Sequence, residues 1–492
     1  MTDSYLLAID QGTTSSRAII FNARGESLYQ AQKELTQHYP QNGWVEHDAN
    51  QIWEDTLEVT KEVIKRAGGA KSIAALGITN QRETTIAWNR DTGELIYNAI
   101  VWQDRRTAKF CEELRGQGLE GTISEKTGLL LDPYFSASKI KWILDNVEGA
   151  QELADTGKLA VGTVECFLLW KLTGGKIHAS DYTNAARTGL FNIITHQWDT
   201  ELLDFYDVPK SILPEVKDNI DDYGYTDPDL FGAPIKIGGM AGDQHAALIG
   251  QACFQRGMIK STYGTGCFAL MNIGGAFKQS QNRLLTTPAY RLNGQTTYAI
   301  EGSIFMAGAI VQWLRDGLSI IDHASETEAL ANSLESNEGV YLIPAFTGLG
   351  APHWQPEARA AIFGMTRKTD KAHFARAALE AQAYQTLDLM DAMVKDSGIT
   401  PESLRVDGGL VANQFVCQFL ADITRCIIDV PVNTETTALG AAFLAGLSCG
   451  MFESLEHISN VWAQKDQFTP QMPITQRDEL YQRWKYYIKK IS

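Results

Sequence analysis

Three short turns in this chain carry residue types that hold phosphate. The first is IDQGTTSSR, Ile9 to Arg17, where an apolar run ends in one aspartate and a hydroxyl-rich turn. The second is STYGTGCF, Ser261 to Phe268, and the third is RVDGGLVAN, Arg405 to Asn413. In such turns backbone N–H groups converge on an anion and hydroxyls add donors. Asp10 closes a run that is expected to be buried, where an unpaired carboxylate costs several kcal/mol. Two roles fit it: a cap for the turn, or a magnesium anchor acting through water. Two other phosphate devices do not fit. No segment matches G-x-x-x-x-G-K-[ST]. GTGCFA, Gly264 to Ala269, matches G-x-G-x-x-A, but the LMNIGG that follows reads as a strand, and no acidic residue stands about 20 positions on to hold a ribose. Three turns of one kind match an ATP cleft shared by two domains.

Other residues suit the acceptor side of a phosphoryl transfer, which needs a base, fixed substrate donors and cations. Asp243 stands in GGMAGDQHAALIG, where a strand hands over to a helix. It reads as a helix N-cap or as a general base. Arg82 and Glu83 follow the strand IAALGIT. They read as a solvated surface pair, or as a fixed donor and acceptor for a small substrate made of hydroxyls. Trp102 and Phe268 read as core aromatics or as an apolar wall. Gly409 reads as an ordinary strand-to-helix glycine, or as a place where backbone must approach a ligand closely.

Strand and helix signals alternate along the chain and position these residues. Residues 5–9 and 16–21 read as a hairpin, and Glu26 to Leu35 as a third strand. Asp48 reads as an N-cap, with Gln51 three residues on, for a helix that Gly68-Gly69 ends. Ile73 to Ile78 reads as a buried strand. Lys260–Tyr263 and Phe268–Ile273 read as a second hairpin. Residues 298–301 lead into an expected helix, GSIFMAGAIVQWLRDG, and residues 404–407 into one near Asn413–Ile423. TALGAAFLAGLSCG, Thr437 to Gly450, reads as the last strong helix. The repetition argues for α/β domains with buried sheets, and the two hairpins for two related halves. The expected boundary is near residue 251, giving domains 1–251 and 252–492 packed around a cleft.

Composition narrows the class. The 492 residues exceed one ordinary core, and 43 basic against 59 acidic residues leave a net charge of −16. No basic run forms a nucleic-acid face. The N-terminus MTDSYLLAIDQG lacks a signal-peptide pattern, and no apolar run is long enough to span a membrane. The seven cysteines form no C-x-x-C pair and read as reduced thiols of a cytoplasmic protein.

IDQGTTSSRA, GITNQRETT, YNAIVWQDRR, DPYFSASKIKW, AGDQHAAL, STYGTGCF, PAFTGLGAP and RVDGGLVAN together resemble the glycerol kinases, part of the FGGY sugar and polyol kinases. The resemblance runs from residue 5 to about residue 450. It implies two actin-like, ribonuclease H-like α/β domains, each with a mixed central sheet, and a cleft between them. It implies ATP and Mg²⁺ as cofactors, glycerol as substrate, and a homodimer or homotetramer. In its terms Asp243 is the general base. Arg82, Glu83, Tyr134, Asp243 and Gln244 bind the polyol hydroxyls, and Trp102 and Phe268 pack on its carbons. Thr13, Thr14, Ser15, Arg17 and Thr265 surround the phosphates. Gly308 and Gln312 lie near the nucleotide, Gly409 and Asn413 meet adenine, and Asp10 with Asp243 holds magnesium. Related polyol kinases acting on xylulose or gluconate are the alternative. Two regulatory devices of relatives are not expected: no arginine stands between Arg187 and Arg256, and no histidine between His196 and His245. His245, beside the Asp-Gln pair, reads as a satisfied helix residue or as a group that tunes the base.

Overall fold

Two mixed sheets organise the protein, whose computed structural model describes residues 4–353, 355 and 357–491. The principal elements of the first half are β1 (Tyr5–Gln11), β2 (Ser15–Phe21), β3 (Ser27–Glu34), α1 (Ala49–Arg66), β4 (Ile73–Asn80), β5 (Ile237–Gly242) and α2 (Asp243–Gly250). Those of the second half are β6 (Ile259–Tyr263), β7 (Cys267–Gly274), β8 (Leu285–Leu292), β9 (Gln295–Ile304), α3 (Gly308–Gln312), α4 (Lys371–Ser397), β10 (Ser403–Asp407), α5 (Gln414–Thr424), β11 (Ile427–Pro431), α6 (Thr436–Ser448), β12 (Gln464–Phe468) and α7 (Ile474–Ile491).

The first sheet runs β5-β4-β1-β2-β3, and the second runs β8-β9-β7-β6-β10-β11-β12. Both contain one pattern. A central hairpin, β1–β2 or β6–β7, has a third strand antiparallel on its outer side. Two parallel strands complete each pattern on the inner side, β4 and β5 or β10 and β11. The two halves therefore repeat one topology although their sequences differ. Parallel strands buried on both faces need near-continuous apolar runs, and AALGI in β4 supplies one.

Local chemistry explains several element ends. Asp48 caps α1 by accepting from the Asn50 N–H, and Gln51 does not close a capping box. Asn413 caps α5 through the Val416 N–H. One expected helix is shorter than its sequence suggests. Gly302 to Ile304 continue β9, and α3 begins only at Gly308, because pairing with β7 captures those residues. Two long helices escaped the sequence reading, α4 and α7. Trp484 of α7 is fully buried and donates to Asp388 of α4 at 2.8 Å.

The halves share a core. Helix α6 belongs to the second half in chain order but packs on β1, β4 and β5 of the first sheet. A Cβ on Gly77 would overlap the Ala441 carbonyl, and one on Gly440 would overlap the Ala246 carbonyl of α2. Glycine is required at both because backbone meets backbone. This contact seats α2, and with it Asp243, between the two sheets.

Candidate active site

The first turn follows from its hairpin. β1 and β2 pair as far as Gln11 and Ser16, and the Gly12 N–H donates to Ser15 O at 2.9 Å. Asp10 is buried at the end of β1. Its carboxylate accepts from Arg17, whose other arm reaches Glu435 of the second half at 2.6 Å. Burial pushes the Asp10 carboxyl above the usual range, Arg17 opposes that, and Glu435 adds to it. The second turn, Gly264 to Gly266, is held to the start of α3: Gly308 N–H donates to Gly264 O at 2.8 Å and Ala309 N–H to Thr265 O at 3.1 Å. The second turn and the start of α3 thus meet, and a Cβ on Gly308 would stand 2.6 Å from Gly264 O.

A cavity of about 510 Å³ opens between the halves, lined by Arg17, Asp407, Gly408, Gly409, Glu435 and Lys465 among others. It joins the first turn to the third. Thr13, Thr14, Ser15, Thr265, Gly308, Gln312 and Asn413 are not among its lining residues. Asn413 instead donates to Thr327 Oγ1 at 3.2 Å while capping α5. Gln312 is exposed at the end of α3.

Arg82 and Glu83 are not a solvated pair. Both are buried, and their nearest charged atoms stand 4.0 Å apart. Each is held by another residue instead. Arg82 donates to both carboxylate oxygens of Glu301, at 2.6 and 2.9 Å. Arg187 Nε donates to Glu83 Oε1 at 2.6 Å. Glu83 takes a left-handed φ of 63°, and the Thr84 N–H closes a three-residue turn on Arg82 O at 2.8 Å. Backbone of this kind is costly and persists where surroundings enforce it. Ser136 Oγ, at 3.0 Å from Glu83 O, is one such support.

Asp243 opens α2, and Gly242 occupies the cap position. Its Oδ1 accepts from the Gln244 N–H at 2.6 Å and lies 3.2 Å from Arg82 Nε. Burial raises its carboxyl above the usual range, and Arg82 and the Gln244 N–H pull against that. A carboxylate so placed accepts a proton more readily than one in water. Gln244 Oε1 accepts from Lys260 Nζ of the second half at 2.5 Å. Tyr134 and Trp102 stand edge to face with centroids 5.5 Å apart. Phe268 is half-buried on β7. His245 is fully buried, its Nε2 lies 3.2 Å from Thr287 Oγ1, and burial with Arg82 holds it well below the usual imidazole range. It is neutral at neutral pH.

The sequence reading missed Glu301, Arg187, Lys260 and Glu435. Glu301 and Glu435 carried a faint signal, an acid next to a strand end or a helix start. Arg187 and Lys260 carried none, because a lone basic residue in a mixed stretch reads as solvated.

Asp10 and Asp243 are two carboxylates, and the charge of Asp10 adds to what raises the Asp243 carboxyl. Mg²⁺ takes one or two carboxylates plus substrate oxygens and several waters, so this donor set fits it. Among the described residues no cluster of three or more His, Cys, Asp or Glu forms a closed metal cage.

Comparison with known proteins shows the family. Residues 5–250 match the N-terminal domain, and residues 259–449 the C-terminal domain, of the FGGY family of carbohydrate kinases. A glycerol kinase of Rhodospirillum rubrum is 59% identical over 489 residues, covering 99% of both chains. One from Nitrosomonas eutropha is 59% identical over 487 residues, covering 99% of this chain and 98% of its own. The crystal structure of Plasmodium falciparum glycerol kinase with ADP superposes with a TM-score of 0.94 at 36% identity, covering 99% of this chain and 98% of that one. With both domain models matched and relatives this similar along their whole length, the chain belongs to the FGGY family of carbohydrate kinases, in its glycerol kinase group.

Proposed function

We propose that the protein transfers the γ-phosphoryl group of MgATP to a terminal hydroxyl of glycerol, yielding glycerol 3-phosphate and ADP by direct in-line displacement. The observation that carries the reading is the Arg82 Nε to Asp243 Oδ1 approach of 3.2 Å beside the Trp102–Tyr134 wall. A fixed donor, a carboxylate of raised basicity and an apolar face suit a short polyol. The named relatives support the substrate, and the ADP of the Plasmodium enzyme supports the nucleotide.

In this reading Arg82, Glu83, Tyr134 and Gln244 fix the hydroxyls, and Trp102 and Phe268 cover the carbons. Asp243 accepts the hydroxyl proton as the new O–P bond forms and the bond from the γ-phosphorus to the bridging oxygen of ADP breaks. Thr13, Thr14, Ser15, Arg17 and Thr265 hold phosphate oxygens. Gly308, Gln312, Gly409 and Asn413 seat the rest of the nucleotide. Asp10 and Asp243 would hold Mg²⁺, which when bound screens phosphate charge. Closing the halves excludes water and so limits hydrolysis of ATP. The reading includes a reducing, cytoplasmic setting, supported by seven free cysteines, and assembly as a dimer or tetramer. Among the described residues no helix is long and apolar enough to cross a membrane.

A coupled ADP-release assay over a panel of polyols, ketoses and aldonates tests the substrate. Glycerol is expected to give the highest kcat/KM. Preference for xylulose or gluconate would overturn the reading.

A further inference from the structure

Four buried charges form a closed ring that spans the two halves: Arg82, Glu301, Arg187 and Glu83. Their side chains are at most 2% exposed. Signs alternate around the ring. Arg82 meets Glu301 at 2.6 Å, Arg187 meets Glu301 at 3.3 Å, and Arg187 meets Glu83 at 2.6 Å. Glu301 is the one member from the second half. It lies on β9, next to β7, which carries Phe268.

The geometry of Arg82 shows what this ring does. A guanidinium has five N–H donors in a rigid fork. Glu301 takes the far end of the fork, NH1 and NH2, with one oxygen each. That leaves the Nε edge, and Nε lies 3.2 Å from Asp243 Oδ1. Resting on the glycerol kinase reading above, we propose that Glu301 is a positioning residue for the polyol site, holding Arg82 end-on so that its Nε edge faces the substrate hydroxyl and Asp243.

The alternative arrangement explains why an anchor is needed. The other carboxylates near Arg82 are Asp243 at 3.2 Å and Glu83 at 4.0 Å, and the substrate needs both. An unanchored fork would turn its two-pronged end onto Asp243, the strongest geometry open to an Arg–carboxylate pair. That would occupy the oxygens that must accept the hydroxyl proton. Glu301 removes this competitor. Arg187 does the matching work for Glu83, and its guanidinium is backed by the Phe135 ring at 5.3 Å. The polyol site is therefore completed by the second half, and the donor is aligned only when the halves are together.

The test uses the full-length protein and glycerol-dependent ADP release, with ADP affinity measured by calorimetry. In E301Q, kcat/KM for glycerol is expected to fall roughly 100-fold, the scale of a small misplacement of a reacting group. ADP affinity should stay within about twofold, since the ring touches none of the residues lining the nucleotide cavity. In an R82K background, which already lacks the fork, adding E301Q should change kcat/KM by less than about twofold. A bridge that merely joins the halves predicts instead that ADP binding weakens along with kcat/KM in E301Q. Wild-type kcat/KM in E301Q, or multiplying losses with R82K, would overturn the proposal. If E301Q does not fold, E301D decides by the same two readouts, because it keeps the charge and shortens the arm. Failure of the wild-type protein to phosphorylate glycerol would instead remove the functional reading itself.

Discussion

The indole Nε1–H of Trp102 donates to Thr13 Oγ1 at 2.9 Å. Trp102 belongs to the proposed polyol wall and Thr13 to the first hydroxyl-rich turn, 89 residues apart in sequence. One side chain therefore touches both substrates' proposed sites.

Trp102→Phe separates its two roles. Phenylalanine keeps an apolar face and loses the donor. Losing one hydrogen bond costs about 1 kcal/mol, roughly fivefold in an equilibrium. KM for ATP should rise by about that factor while KM for glycerol stays within about twofold. Steady-state kinetics with each substrate varied in turn reads the split. A change confined to glycerol would mean that the contact with Thr13 is idle.

Asp243→Asn keeps shape and removes the base. Turnover should fall by about 10²–10⁴-fold, the usual worth of a positioned general base. ADP titration should still show binding. The amide also lifts one negative charge from beside Arg82, so glycerol binding can be measured without the competing ion pair. Turnover within tenfold of wild type would take the proton-accepting role away from Asp243.

Glu165 gives stability a pH dependence of known sign. Its carboxylate is buried and accepts from Thr163 and Ser180 hydroxyls at 2.6 Å and from Asn80 at 2.9 Å. Burial first, and Asp181 second, push its carboxyl up to about 7, against about 4.3 in an unfolded chain. Between those values the folded state binds more protons, so this group's contribution is full below pH 4.3 and is lost as pH rises through 7. Denaturation of wild type and Glu165→Gln at pH 5 and pH 8 isolates it. The variant should gain on wild type by an amount on the order of 2 kcal/mol between the two pH values. A fixed cost of the amide shifts both points equally and leaves this difference intact. No change in the difference with pH would show that Glu165 is ionised throughout.

The turns were legible because their chemistry is local. Asp10 to Arg17 needs only a strand end, glycine and hydroxyls within eight positions, and the hairpin β1–β2 puts them where that spacing implies. The same holds for GTG at residues 264–266 and for Gly408-Gly409. Asp243 was legible as a strand-to-helix junction, and it is the first residue of α2. Resemblance to a family then singled out Arg82 and Glu83, which their own neighbourhood left open as a surface pair. Helices α4 and α7 were not legible, since their burial depends on each other: Trp484 and Tyr481 both donate to Asp388.

By itself the sequence determined the alternation of strands and helices, the three turns and the acid that opens α2, because these depend on neighbours within a few residues. The tertiary structure alone decided which charges meet. Arg82 and Glu301 are 219 residues apart, and nothing within either segment names the other as its partner. A buried charge is stable only when opposite charge and donors surround it. Those surroundings exist only once β9 and the Arg82–Thr84 turn face each other across the cleft. Most residues of the proposed polyol site thus stand in the first half, while the carboxylate that meets Arg82 comes from the second.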